Sequence, residues 1–404
     1  MSAPRPYDLV LFGATGFTGR LTAEYLARAA PEGCRWALAG RSERRLAAVR
    51  TELAKLDPRC AELPLLVVDA ADREALGKVA AATRVVASTV GPYLQHGEPL
   101  VAACAQSGTD YVDLCGEPEF VDRMYVRHHE RAVATGARLV HACGFDSVPH
   151  DLGVLFTVEE LLRTGGPAER VSVEGFVRVA ATVSGGTFAS AMTAFSRVRA
   201  MAQAARARRA VEPRPKGRLV HTPLGRPHRS RAARAWAVPL PTIDPQIVAR
   251  SAAELDDYGR EFGYTHYAAV RRLPVALGGV SAVAAIALAA QLRPLRRALE
   301  RLRKPGDGPG AQQRAHSWFA VRFVARTANG RTVFTEVSGG DPGYQETATM
   351  LAESALCLAY DDLPPRAGQL TPAVAMGRPL IERLTAAGIA FRVLDTPPTA
   401  APGR

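Results

Sequence analysis

Gly13-Ala14-Thr15-Gly16-Phe17-Thr18-Gly19 follows the apolar run Tyr7 to Phe12 and precedes a helical pattern that begins at Arg20. That order is a strand, a tight turn and a helix. Glycine is needed where the chain reverses and where backbone N–H groups approach a pyrophosphate, and the helix that follows presents unpaired donors and the positive end of its dipole. Gly13, Thr15, Gly16, Phe17, Thr18 and Gly19 are therefore the expected cradle of a dinucleotide.

A glycine-rich turn alone can be only a tight turn, so its surroundings decide. Apolar strands recur at Trp36 to Ala39, Leu65 to Val68, Val85 to Ser88 and Arg138 to His141, each separated from the next by a stretch of helical period. Strands alternating with helices predict an α/β fold, a Rossmann-type doubly wound parallel sheet. With 404 residues, 47% of them apolar, the chain suits two domains. The expected division is a nucleotide domain over 1–150 and a mixed α/β domain over 151–404. A basic loop, 206–235, and an apolar segment, 273–292, are inserted in the second, and the helical pattern Pro372 to Ala387 is expected to pack back on the first.

The second strand chooses the nicotinamide cofactor. An NAD-binding unit usually ends this strand in Asp or Glu, which bonds the ribose 2′-hydroxyl and repels a 2′-phosphate. Here it ends in Gly40-Arg41-Ser42. Arg41 offers a fork of charge-assisted bonds to a phosphate, and Ser42 adds a donor, which favours NADP(H). Asp69, after the third strand, is positioned for the adenine. Gly91, in Thr89-Val90-Gly91-Pro92 after the fourth, is positioned for the nicotinamide half.

The net charge of +12 is uneven. Between Arg197 and Arg234 stand 12 Lys/Arg against Glu212 alone, and between Arg271 and Lys304 eight against Glu300, so the remainder of the chain is net acidic. Such basicity suits an anionic membrane surface or an acidic carrier protein. Nucleic acid is disfavoured, because no reading module accompanies the charge. Leu273 to Leu292 carries no formal charge, yet seven of its 20 residues are Ala and it contains Pro274, Gly278, Gly279 and Gln291, a poor composition for a span. It is expected to lie in a membrane interface, with 271–304 meeting anionic headgroups on the inner face of the plasma membrane. The alternative is a helix buried in the second domain or in a homo-oligomeric contact. The six cysteines form no C-x-x-C pair, no metal is expected, and a reducing cytoplasmic setting follows.

The strand ending at His141 runs into Cys143-Gly144-Phe145-Asp146-Ser147-Val148-Pro149, with Ser147 and Pro149 suited to starting a helix. Asp146 and Ser147 lie just past a strand's carboxyl end, where the nicotinamide belongs. Glycine-rich turns at Ser184-Gly185-Gly186-Thr187 and Gly339 to Tyr344 either line the substrate cleft or simply link strand to helix. The Tyr-to-Lys pair, four positions apart, by which short-chain dehydrogenases protonate substrate is missing. Tyr93 is followed by Gly97, Tyr125 by His129, Tyr267 by Arg271 and Tyr344 by Ala348.

Together these motifs resemble the saccharopine dehydrogenase-like oxidoreductases, and within them the trans-acting enoyl reductases that serve polyketide-derived lipid assembly. The resemblance is carried by Gly13 to Gly19, Ala39-Gly40-Arg41, Val90-Gly91-Pro92-Tyr93, Gly108 to Asp113 with Gly116-Glu117, Gly144 to Pro149 with Asp151-Leu152-Gly153, Gly340 to Tyr344 and Leu370 to Ala373. It covers nearly the whole chain. It implies NADPH-dependent reduction of an enoyl thioester, with Tyr93 as proton or oxyanion donor, Asp146 and Ser147 beside the nicotinamide, and Tyr344 closing the cleft. A saccharopine-type C–N oxidoreductase, with paired Arg or Lys on substrate carboxylates, and a non-catalytic NADP-binding membrane-surface protein stand as alternatives.

Overall fold

The computed structural model describes residues 5–181, 192–193, 195–213, 215, 217–291 and 310–397. The first sheet is built from β1 (Tyr7–Phe12), β2 (Trp36–Gly40), β3 (Leu65–Val67), β4 (Thr83–Ser88), β5 (Asp110–Asp113) and β6 (Arg138–Val140). All neighbours are parallel, in the order β3-β2-β1-β4-β5-β6. Connecting them are α1 (Phe17–Ala29), α2 (Glu43–Leu56), α3 (Arg73–Ala81), α4 (Tyr93–His96), α5 (Glu98–Ser107) and α6 (Pro118–Thr135). The chain winds outward from β1 in one direction and resumes at β4 in the other, so the crevice between the ends of β1 and β4 is the switch point where a ligand binds in such sheets. Both faces are covered. In β1, Leu9 and Leu11 enter one core while Val10 and Phe12 enter the other, as the alternation of a strand requires.

After β6, α7 (Val148–Gly165) crosses to the second sheet, with its first turns buried. That sheet contains β7 (Arg170–Ala180), β8 (Leu219–His221), β9 (His228–Ser230), β10 (Ala235–Pro239), β11 (Glu261–Val270), β12 (Trp318–Thr327) and β13 (Thr332–Gly339). It is mixed: β7 and β11 run parallel, whereas β12 lies antiparallel between β7 and β13. Its helices are α8 (Val198–Val211), α9 (Asp244–Glu254), α10 (Leu273–Gln291) and α11 (Ala311–Ala315).

The chain then returns. The helix α12 (Gln345–Tyr360) packs over α1, β1, β4 and β5, and β14 (Gly368–Leu370) adds a seventh strand beside β6. The division at residue 150 is therefore crossed, because the C-terminal segment completes the first sheet. Two short helices follow, α13 (Pro372–Ala375) and α14 (Gly377–Ala386), before β15 (Ala390–Leu394) pairs with β13 in the second sheet.

Over its described residues the expected basic loop 206–235 carries regular structure. It contains the end of α8 together with β8 and β9, and Arg208 is buried. Its guanidinium stacks on the Tyr125 ring at 3.9 Å and pairs with Glu212 and Asp122, while Arg197 holds Glu119, so this segment fastens the second half to α6. Prolines between the pieces gave it the look of a loop. Over its described residues, Leu273–Gln291, the apolar segment is one helix, α10, and it rests against β10 and β11 with Val275 and Leu277 each 59% exposed and Leu288 70% exposed. It is not buried in the second sheet's core. Among the described residues no helix is long and apolar enough to cross a membrane.

Candidate active site

The glycine turn has the geometry that a pyrophosphate needs. Gly13 has φ +91°, and a Cβ there would lie 2.6 Å from Thr89 Oγ1, so only glycine lets the turn close on the end of β4. At Gly19 a Cβ would stand 2.2 Å from the Gly13 carbonyl oxygen, which fixes how closely α1 packs on the turn. Gly16 faces outward; a Cβ there would meet only the Gly13 oxygen, at 3.4 Å. It occupies the N-cap of α1, no side chain caps the helix, and no acidic residue stands in the first turn. The leading N–H groups thus face an open, anion-favouring space between Thr15 and Thr18. Arg41, after β2, is exposed and carries no ion pair among the described residues, and Ser42 occupies the N-cap of α2 without bonding to it. Both are free for a 2′-phosphate. Asp69 is exposed, its Oδ1 accepting from Ala71 N at 2.9 Å, and Gly91 is exposed beyond β4.

The loops past the carboxyl ends of β1, β5 and β6 meet the loop between β13 and α12. Tyr344 packs edge-on against Phe17 of the glycine turn, with ring centroids 4.8 Å apart, and both rest on Leu21 of α1. Thr347 ties that loop to the next, its Oγ1 accepting from Phe145 N at 3.1 Å and donating to the Pro342 carbonyl at 2.8 Å. Asp146 lies over Gly116, where a Cβ would come within 2.9 Å of its Oδ2. The Asp146 carboxyl is pushed up to about 6, chiefly by burial and further by the negative charge of Asp244. Ser147 occupies the N-cap of α7 but makes no capping bond, and its buried Oγ has no hydrogen-bond partner. A buried hydroxyl without a partner is costly, and this one keeps both its donor and its acceptor capacity unused.

Tyr93 is differently placed. Its buried hydroxyl donates to the Ser88 carbonyl at 3.0 Å and accepts from Leu114 N at 3.1 Å, linking the ends of β4 and β5. Burial and the nearby Asp113 raise its pKa far above the usual phenol range. The proton needed for a donor role is committed to Ser88. The Ser184 to Thr187 turn lies outside the described residues.

Several residues here have roles that the sequence reading did not assign. Glu117 accepts from Tyr93 N and Leu94 N, each at 3.0 Å, and so caps α4 from a neighbouring loop. Asp113 accepts from Cys115 N at 2.9 Å and Ala142 N at 3.1 Å, and its other oxygen sits 2.7 Å from His141 Nδ1. Asp151 joins α7 to Ser251 and to Ala373 N, and burial pushes its carboxyl up to about 6. Its position after the Ser147 motif was the only signal. A cavity of about 1080 Å³ opens between α6, α8 and α9, bounded by Arg208, Arg250 and His266.

Residues 9–140 match the family model of the saccharopine dehydrogenase NADP-binding domain. Nearly the whole chain is similar to the trans-acting enoyl reductases of Mycobacterium leprae, 37% identical over 95% of this chain and 97% of the relative, and of Mycobacterium tuberculosis, 38% identical over 96% and 97%. A further Mycobacterium tuberculosis relative is 40% identical over 97% and 98%. The chain belongs to the saccharopine dehydrogenase-like trans-acting enoyl reductase family. Its cofactor is NADP(H), in agreement with the free Arg41 after β2. The fold also matches apo saccharopine dehydrogenase (L-Glu forming) from Saccharomyces cerevisiae, with TM-score 0.57 at 13% identity over 96% of this chain and all of that one. At that identity the likeness speaks for fold alone.

Proposed function

We propose that this family member reduces the carbon–carbon double bond of an enoyl thioester, acting in trans on a substrate from (glyco)lipid or polyketide biosynthesis. The observation that carries the mechanism is the unpartnered, buried Ser147 hydroxyl beside Asp146 past β6. When held by the glycine turn and Arg41, NADPH would supply the hydride that the β-carbon accepts. As negative charge develops on the thioester oxygen, Ser147 Oγ–H would donate to it once the loop past β6 shifts to uncover the hydroxyl, in a low-dielectric site where such a bond counts most. Asp146, with its pKa near 6, then releases a proton to the α-carbon and is recharged from solvent through its partly exposed edge. Tyr344 and Phe17 hold the second-half loop against the glycine turn and exclude water. Tyr93 serves as a brace between β4 and β5 rather than as the acid.

The basic and apolar surface of the second half suits a cytoplasmic enzyme that works at the inner face of the plasma membrane, either on lipid-linked intermediates or on an acidic carrier protein. Arg271 and Arg272 are exposed at the start of α10, on which Leu273, Val275, Leu277 and Leu288 are also exposed, an arrangement fitted to anionic headgroups.

The reading is tested by NADPH oxidation against enoyl thioesters of several chain lengths, for the intact protein and for Ser147→Ala. Oxidation matched by saturated product, and a Ser147→Ala rate lower by about a hundredfold with NADPH affinity kept, would support it. Turnover of amino-acid substrates instead would favour the C–N oxidoreductase, and tight NADPH binding with no turnover a non-catalytic role. Liposome flotation with and without 273–291 tests the membrane surface; equal, negligible binding to anionic vesicles would remove it.

A further inference from the structure

His150 on α7, Asp244 at the start of α9 and His266 on β11 come from three separate elements and converge in the interior, each no more than 3% exposed. Their ligand-capable atoms all lie within 4.8 Å of one another. The expectation of no metal-ligand cluster rested on cysteine spacing, and this cluster contains no cysteine.

Three details separate it from an ordinary buried hydrogen-bond network. Asp244 Oδ1 lies 2.7 Å from His150 Nδ1, and neither atom has any other partner among the described residues. The other ring nitrogen of His150 is buried and also without a partner. His266 is held by Tyr264, whose hydroxyl lies 3.0 Å from its Nδ1, which turns Nε2 toward Asp244 Oδ2 across a gap of 3.7 Å.

The charges around this gap are unbalanced. Asp146 adds a second acidic group nearby, and Asp244 has no Lys or Arg partner among the described residues. A buried carboxylate without a cation is expensive.

We propose that His150, Asp244 and His266 bind a single divalent transition-metal ion of the zinc class. Two imidazoles and one carboxylate form a donor set that suits such borderline ions, and Tyr264 is the kind of outer partner that orients a ligating imidazole. Donor atoms around a tetrahedral ion with bonds of about 2.0–2.1 Å stand roughly 3.3 Å apart, so the ion would draw the two rings together by modest side-chain rotation. His266 also borders the cavity between α6, α8 and α9, which gives the ion a route from solvent. Once bound, it would clamp the start of α7, and with it the Ser147 loop, to the second sheet. The site is independent of which substrate the enzyme reduces.

The test is titration of the full chain, treated with EDTA, with Co²⁺ alone. One equivalent should bind saturably with visible ligand-field absorption and no thiolate charge-transfer band, be displaced by Zn²⁺, and raise the melting temperature. His266→Gln and Asp244→Asn, checked by NADPH titration for an intact cofactor domain, should each weaken binding by at least about tenfold. The proposal is overturned if the unmodified chain takes up no stoichiometric Co²⁺, if a thiolate band places the ion on cysteine, or if both folded variants bind as the parent does. The unmodified chain decides even if a variant fails to fold.

Discussion

Arg41 offers the sharpest test of how this chain tells NADPH from NADH. Its guanidinium is exposed and carries no ion pair among the described residues, so a phosphate that engages it displaces no protein partner and strips little water from a buried charge. The Coulomb attraction between unit charges 4 Å apart in water is about 1 kcal/mol, and a ribose phosphate carries close to two charges. Charge-assisted bonds in a forked geometry place the whole contact at about 2–3 kcal/mol. Arg41→Ala should therefore raise the NADPH dissociation constant by about 30- to 150-fold and leave that for NADH nearly unchanged. Arg41→Asp should go further and favour NADH, because a carboxylate there repels the phosphate and accepts from the 2′-hydroxyl. Nicotinamide fluorescence titrations of each variant with both cofactors, repeated at raised salt, read the difference directly. If NADPH and NADH weaken together, or if NADPH binding does not move, Arg41 is not the 2′-phosphate contact.

Asp146 gives turnover a pH signature: its acid form predominates below about 6, so kcat should hold a plateau there and fall about tenfold per pH unit above, a limb that Asp146→Asn removes. Tyr93→Phe leaves Leu114 N and the Ser88 carbonyl unpaired in the interior, and should cost about 1–3 kcal/mol in denaturant titrations while kcat stays close to the parent value. A large loss of kcat at unchanged stability would return Tyr93 to the chemistry. Gly153→Ala places a methyl 2.4 Å from the Phe323 ring, where α7 crosses the second sheet, and should destabilise by about 1–3 kcal/mol without altering NADPH affinity.

The nucleotide-binding end was legible because local constraints write it into the chain. Glycines that must approach a carbonyl within van der Waals distance have few substitutes, and β1, β2 and β4 are runs of core residues. Strand β5 was harder to see, since only Tyr111 and Val112 are apolar and the flanking Asp110 and Asp113 find their partners in Arg138 on β6 and in His141 just past its end. Strand β14 is three residues long and has no pattern of its own. The segment around Arg208 looked solvated because its charge is obvious in sequence, while Asp122 and Tyr125, which make burial tolerable, come from α6. The same distance in sequence hid the convergence of His150, Asp244 and His266. Ser147 was visible as a helix starter, but only the structure reveals that its hydroxyl does not cap the helix it begins.

The return of the C-terminal segment to the first sheet bears on how the protein is made. Everything from β7 to β13 is an insertion between two neighbouring strands of one parallel sheet, so β6 keeps a bare edge until Gly368 to Leu370 has left the ribosome. The cofactor-binding half therefore cannot mature during synthesis as a leading unit, and a fragment ending near residue 150 would lack both its seventh strand and the α12 cover over β1 and β4. Such a fragment should aggregate rather than bind NADPH, and binding should appear only when nearly the full length is present.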